Sequence, residues 1–121
     1  MIRKIECISL YTSDIAASAA FYASLGLNQA WRIDRMTADG TPVSLIGFKF
    51  PEQASSELVL SDNAEVPVTE VELLVDDVRA THAELASRPD ITWIRTPFAT
   101  ESGHVAVVEA PDGNVFVLVG A

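Results

Sequence analysis

The chain has 121 residues, with 17 acidic and 8 basic side chains, a formal net charge of −9, and 49% hydrophobic against 21% charged residues. That balance describes one folded domain whose core requires no metal or disulfide staple, and it excludes global disorder. The scattered basic residues exclude a nucleic-acid groove, and the negative charge opposes adhesion to anionic membranes. Cys7 is the only cysteine, so no intrachain disulfide is available. The N-terminus enters a strand directly, without a signal-peptide pattern, and no apolar run is long enough for a membrane span. The expectation is a cytoplasmic protein.

Residues 3–11 alternate and predict a strand. Ser13 or Asp14 caps a helix over 14–25, with Gly26 as its C-terminal stop. Strands follow over 27–35, over 42–50 after the Asp39-Gly40 turn, and over 57–60. Asp62 to Pro67 is mostly polar and reads as a linker. The order then repeats: strand 68–75, helix 77–88, strands 91–97, 103–109 and 115–119, with Pro111-Asp112-Gly113-Asn114 turning the chain between the last two. A shift of 63 positions lays Cys7 to Ile15 over Glu70 to Val78, and in both copies the hydrophobic period changes from 2 to 3.6 at the same point. The sequence therefore predicts an α+β fold of two βαβββ modules in tandem, with module 1 over about 1–61, a linker over about 62–67 and module 2 over about 68–121.

Alternation assigns the faces. Ile8, Leu10, Leu58 and Leu60 go under the first helix, as do Val71, Leu73, Val75, Phe116 and Leu118 under the second. The first helix meets its sheet through Ile15, Ala19, Tyr22 and Leu25, with Ser18 tolerated on the same stripe. Cys7, Ser9 and Tyr11, then Glu57 and Val59, then Glu70 and Glu72, and finally Val115, Val117 and Val119 take the other face, where two modules bend into a concave groove.

Ser13-Asp14-Ile15, Phe21 to Leu27 (Phe-Tyr-Ala-Ser-Leu-Gly-Leu), Val75 to Val78 (Val-Asp-Asp-Val) and Pro111 to Asn114 together resemble the vicinal oxygen chelate superfamily. That group contains glyoxalase I, bleomycin-resistance proteins, fosfomycin-resistance proteins and extradiol dioxygenases. The resemblance spans nearly the whole chain and implies a glyoxalase-like fold. It implies little about activity, because the fold hosts binders, lyases, transferases and oxygenases. Metal-using members draw His, Gln or Glu ligands from positions that match Cys7, Glu57, Glu70 and Val117 here. A valine cannot ligate, and neither His82 nor His104 matches a ligand position. The resemblance also implies a homodimer.

Cys7, Glu57 and Glu70 still offer a thiolate and two carboxylates, but without imidazole they make an uncommon zinc set. As a lone cysteine, Cys7 also reads as a small apolar packing residue. Glu57 and Glu70 are the candidates for a general acid or base, and they read equally well as solvated rim carboxylates. Trp31, Phe48 and Trp93, on middle strands, are candidate walls of a small-molecule pocket, and each also fits ordinary core packing. The expected binding set is therefore Cys7, Trp31, Phe48, Glu57, Glu70, Trp93 and Val117. The sequence favours a small-molecule binder of the bleomycin-resistance type, with no cofactor or bound metal, taking a cationic or polar aromatic guest. The alternative is a metal-dependent lyase, isomerase or dioxygenase with a non-standard ligand set.

Overall fold

A computed structural model describes residues 1–121. The elements run β1 (Ile2–Tyr11), α1 (Ile15–Ser24), β2 (Asn28–Met36), β3 (Pro42–Lys49), β4 (Glu57–Ser61), β5 (Glu70–Val75), α2 (Val78–Leu85), β6 (Thr92–Thr100), β7 (Gly103–Glu109) and β8 (Val115–Gly120). This is the predicted α+β order, βαβββ twice. The second helix is shorter than its pattern, because Pro89 biases Arg88 away from helical backbone and the chain turns over residues 86–87. No helix is long and apolar enough to cross a membrane.

Both helices start on an aspartate. Asp14 Oδ1 accepts the Ala17 N–H at 3.0 Å, and Asp77 Oδ1 accepts the Ala80 N–H at 2.9 Å. Each carboxylate satisfies one of the N–H groups that a helix start leaves without an intrahelical partner. At the far end of α1, Gly26 has φ +96°. Its N–H reaches Ala23 O at 3.1 Å, and the Leu27 N–H reaches Tyr22 O at 3.3 Å. These two bonds form a Schellman closure, which needs a residue at ease with positive φ. The closure turns Leu27 back into the core and leaves Leu25 outside, 61% exposed, so Leu25 does not join the helix stripe as expected.

The chain divides into two compact units, Cys7–Thr69 and Met1–Glu6 together with Glu70–Ala121. The division falls inside β1. In the Cys7–Thr69 unit the strand order is β2-β3-β4-β1, with β1 and β4 parallel and the other neighbours antiparallel. In the second unit the order is β6-β7-β8-β5, again with one parallel pair, β5 and β8. The two orders are identical element for element.

In the first unit Ile46, Phe48 and Leu60 are buried beneath α1, with Leu10, Leu58, Ile15, Ala19, Tyr22 and Leu27 packed around them. The Tyr22 and Phe48 rings lie 6.4 Å apart. In the second unit Val75, Val78, Ala106 and Leu118 form the core, with Leu73, Trp93 and Val108 against them. There α2 is tied to the end of β8 by the Val78 N–H, which donates to Ala121 O at 2.9 Å. The predicted turn before β8 is present: Gly113 has φ +87°, and Asp112 Oδ1 accepts the Asn114 N–H at 3.0 Å.

Phe48 has no exposed surface and anchors the first core. Phe48→Ala is expected to lower stability by about 3–5 kcal/mol. Asp14→Ala removes only a cap and is expected to cost about 1 kcal/mol. Chemical denaturation of the two variants checks both the values and their order.

Candidate functional site

In the Cys7–Thr69 unit, strand register assembles one row of residues on the sheet face away from α1. Ser9 on β1 partners Val59 on β4, Val59 partners Gly47 on β3, and Gly47 partners Trp31 on β2. One step along the parallel pair, Cys7 partners Glu57. Gly47 explains how a tryptophan lies down in this row. A Cβ at position 47 would sit 2.0 Å from the Trp31 ring, so only glycine leaves room for the indole against the strand backbone. The indole then reaches across, and its Nε1–H donates to Glu57 Oε1 at 3.1 Å. The result is a flat aromatic surface whose polar edge ends in a carboxylate. Cys7, Ser9 and Val59 beside it are buried.

Phe48 is not part of this surface. It neighbours Gly47 on β3, so it points to the opposite face, and it is wholly buried under α1. Trp93 is likewise a core residue. It packs beneath α2, with the His82 ring edge-on at 4.6 Å. The expectation that Phe48 and Trp93 wall a pocket is therefore corrected: both rings are spent on helix–sheet packing. His104 is half-buried, and its Nδ1 is covered without a protein partner.

The second unit builds the matching row from different chemistry. Glu72 on β5 partners Val117 on β8, Val117 partners Val107 on β7, and Val107 partners Arg95 on β6. The counterparts are Ser9 with Glu72, Val59 with Val117, Gly47 with Val107, and Trp31 with Arg95. The same register shift occurs in both units, between Gln29 and Trp31 and between Trp93 and Arg95, so Trp93 corresponds to Gln29 and Arg95 to Trp31. The Arg95 guanidinium lies over the Phe98 ring, 3.8 Å from its centroid, which holds the cation by its attraction to the ring face. Arg95 is the residue that sequence reasoning missed. Its only signal was its place two residues beyond a tryptophan, and that signal is unreadable without the bulge.

Glu70 is half-buried at the start of β5, and burial raises its carboxyl above the usual carboxylate range. Val117 is 7% exposed. Its counterpart in the first unit is Val59, also buried, and not Glu57. Glu57 and Val117 are therefore not equivalent positions of the two modules.

The donor set does not fit a metal of the kind implied by the resemblance. No group of three or more His, Cys, Asp and Glu side chains is arranged to hold an ion. Glu57 Oε1 is already engaged by an indole, its neighbour is a thiol, and the fourth position is an aliphatic side chain. A thiolate beside a hard carboxylate, with no imidazole, is a poor match for the common divalent ions. What the arrangement offers is a stacking surface, one hydrogen-bond acceptor at its edge in the first unit, and a ring-held cation in the second.

A family model for the Glyoxalase/Bleomycin resistance protein/Dioxygenase superfamily matches residues 4–118. No curated protein matches the chain. Among solved structures, a variant of Streptomyces coelicolor methylmalonyl-CoA epimerase in complex with 2-nitronate-propionyl-CoA superposes with a TM-score of 0.74 at 18% identity, over 100% of this chain and 96% of that one. An uncharacterised Bacillus halodurans protein gives 0.73 at 15% identity, over 98% and 94%. One from Methanosarcina mazei gives 0.64 at 23% identity, over 98% and 94%. At these identities the likeness establishes the fold alone.

Two outcomes follow from the geometry. Gly47→Val must push the indole off β3, so Trp31 loses its bond to Glu57; a change in tryptophan emission, absent in a Trp31→Phe background, reports it. Glu70 holds its proton to higher pH folded than unfolded, so its contribution to stability falls as pH rises above the unfolded value. Glu70→Gln is expected to raise stability at pH 7 and leave it unchanged near pH 3, as denaturation at the two pH values would show.

Proposed function

The chain belongs to the glyoxalase/bleomycin resistance protein/dioxygenase superfamily, and from that premise we propose that it is a small-molecule-binding protein of the bleomycin-resistance type, holding a cationic or polar aromatic guest without a metal. The observation that carries this reading is the Trp31–Gly47–Glu57 arrangement. Binding an aromatic guest requires a flat wall fixed before the guest arrives, because a wall ordered on binding costs affinity. Trp31 is fixed twice, by the strand backbone at Gly47 and by the bond to Glu57. Glu57 in turn has a second carboxylate oxygen for an N–H of the guest, and a charged acceptor strengthens such a bond. The net charge of −9 favours the approach of a cation over that of an anion.

The competing reading, a metal-dependent lyase, isomerase or dioxygenase, draws on the same superfamily and on the epimerase neighbours. It requires Cys7, Glu57 and Glu70 to act as ligands, and the engagement of Glu57 by an indole speaks against it. An acyl-CoA substrate like that of the epimerases is a polyanion, and the charge of this chain opposes it.

Calorimetric titration with planar aromatic cations, beside neutral and anionic compounds of the same ring system, separates the readings. The expected result is preference for the cation. Trp31→Ala should weaken all binding at least tenfold, about 1.4 kcal/mol. Glu57→Gln should weaken the cation alone. Stoichiometric zinc, nickel, manganese or iron in the incubated protein, lost in Glu57→Ala, would replace this reading by the metal-dependent one.

A further inference from the structure

A cavity of about 300 Å³ opens in the Cys7–Thr69 unit on the α1 side of the sheet. Its floor is Leu10 and the buried Leu60, residues of the core that packs under α1. The site of Trp31 and Glu57 lies on the other face of the same strands. The cavity is therefore not part of the surface described above. At this volume it stands at the lower end of the range of small-molecule sites.

Its lining has a composition unlike the rest of the chain. In a protein with 25 charged side chains, none of the nine lining residues is charged. An ion entering here would lose hydration and find no counter-charge, which is costly. Five of the nine carry hydroxyls, and the other four are Leu10, Leu60, Pro67 and Val68. A hydroxyl donates or accepts as required, so such a lining recognises polar atoms of either sense on an otherwise apolar guest.

Part of the polar lining is already held in place. Thr12 Oγ1 and Ser18 Oγ are 2.7 Å apart, and Thr12 Oγ1 also accepts the Asp14 N–H at 3.1 Å. Tyr22 is fixed by its ring contacts, 5.2 Å from Phe21 and 6.4 Å from Phe48. This accounts for Ser18, the one polar residue on the inner stripe of α1. It does not fill the core but lines the cavity, bonded to Thr12. At the mouth, Val68 is 56% exposed, an apolar side chain that a guest would cover.

We propose that this cavity is a second binding site, for a small neutral molecule with a ring-sized apolar body and one or two hydroxyl or amide groups. The guest lies with its apolar body on Leu10 and Leu60, beneath Val68, and with its polar groups toward the Thr12–Ser18 pair and Tyr22. The site excludes ions of both signs. This separates it from the Trp31–Glu57 surface, which selects for positive charge.

The test uses three probes of equal size, benzyl alcohol, benzylammonium and benzoate, titrated into isotope-labelled protein and followed by amide chemical shifts. Benzyl alcohol is expected to give saturable shifts at residues 10–12, 18–22 and 68–69, with at least fivefold weaker binding of either ion there. Val68→Glu places a carboxylate at the mouth, on a side chain 56% exposed, and should weaken benzyl alcohol at least fivefold. Ser18→Leu intrudes on the cavity and removes the hydroxyl partner of Thr12, and should weaken the shifts at least fivefold, provided its spectrum remains that of the folded protein. Absence of saturable shifts at these residues, equal binding of the three probes, or indifference to Val68→Glu overturns the proposal. Shifts confined to Trp31 and Glu57 also overturn it, while leaving the reading of the first surface intact. Cavity shifts with benzyl alcohol, together with no shifts at Trp31 or Glu57 from benzylammonium, do the reverse.

Discussion

The parallel pairing of the first and last strand in each repeat is the constraint from which the rest follows. A parallel neighbour cannot be reached by a hairpin, so the chain must leave the sheet and return. Here it does so through one helix and two antiparallel strands, which is why a helix covers one face of each unit and leaves the other to the site. The pairing also sets register. Once Cys7 lies beside Glu57 and Glu72 beside Val117, every residue on the remaining strands has a fixed partner and a fixed side. The Trp31 surface and the Arg95 position result from that register, propagated across two further hairpins.

Strand and helix order, the repeat, the start of the first helix and most of the residues under each helix were legible in the sequence, because they rest on local periodicity and local capping chemistry. Leu10, Leu58 and Leu60, and their counterparts Leu73 and Leu118, lie where alternation puts them. The middle strands were less legible. Trp31, Phe48 and Trp93 all looked like pocket walls, and one of the three is on the site face. Alternation fixes which residues share a face within a strand but not which face that is. The answer depends on register, and both edge strands carry shifts, between Gln29 and Trp31 on β2 and at two places on β6. A bulge inserts one residue and reverses parity beyond it. No single-sequence pattern marks where it falls, so alternation could not show that Trp93 lies under α2 while Arg95, two residues on, takes the other face.

The same logic revises the picture of an acidic surface. The acidic surplus reads as a property of the site when Glu57, Glu70 and Glu72 are counted on one side of their strands. The row beside Glu57 is in fact Ser9, Val59, Gly47 and Trp31, without a charge, and the row containing Glu72 has a cation at its other end. Much of the remaining charge is exposed and locally paired, as in Arg3 with Asp76, Arg32 with Asp34 and Arg88 with Asp90. Exposed pairs of this kind contribute little to stability. The net charge of −9 is therefore a property of the whole chain, while the surface around Trp31 is built from a few uncharged or singly charged groups.

Val117 shows how the two levels meet. Read by motif, it is a metal ligand that has been lost. Read by register, it is the counterpart of Val59, a buried aliphatic residue at the same level of the same strand in the other repeat. Both valines sit in the centre of a sheet, where a β-branched apolar side chain packs well against its cross-strand neighbours. A carboxylate at either place would lose hydration and would require a partner to offset that loss. In the row of Val117 the candidates are Arg95, two strands away and engaged with Phe98, and Glu72, of the wrong sign. An ion bound there would have to supply that compensation itself. With valine in place the strand packs against its neighbours there and needs no ion.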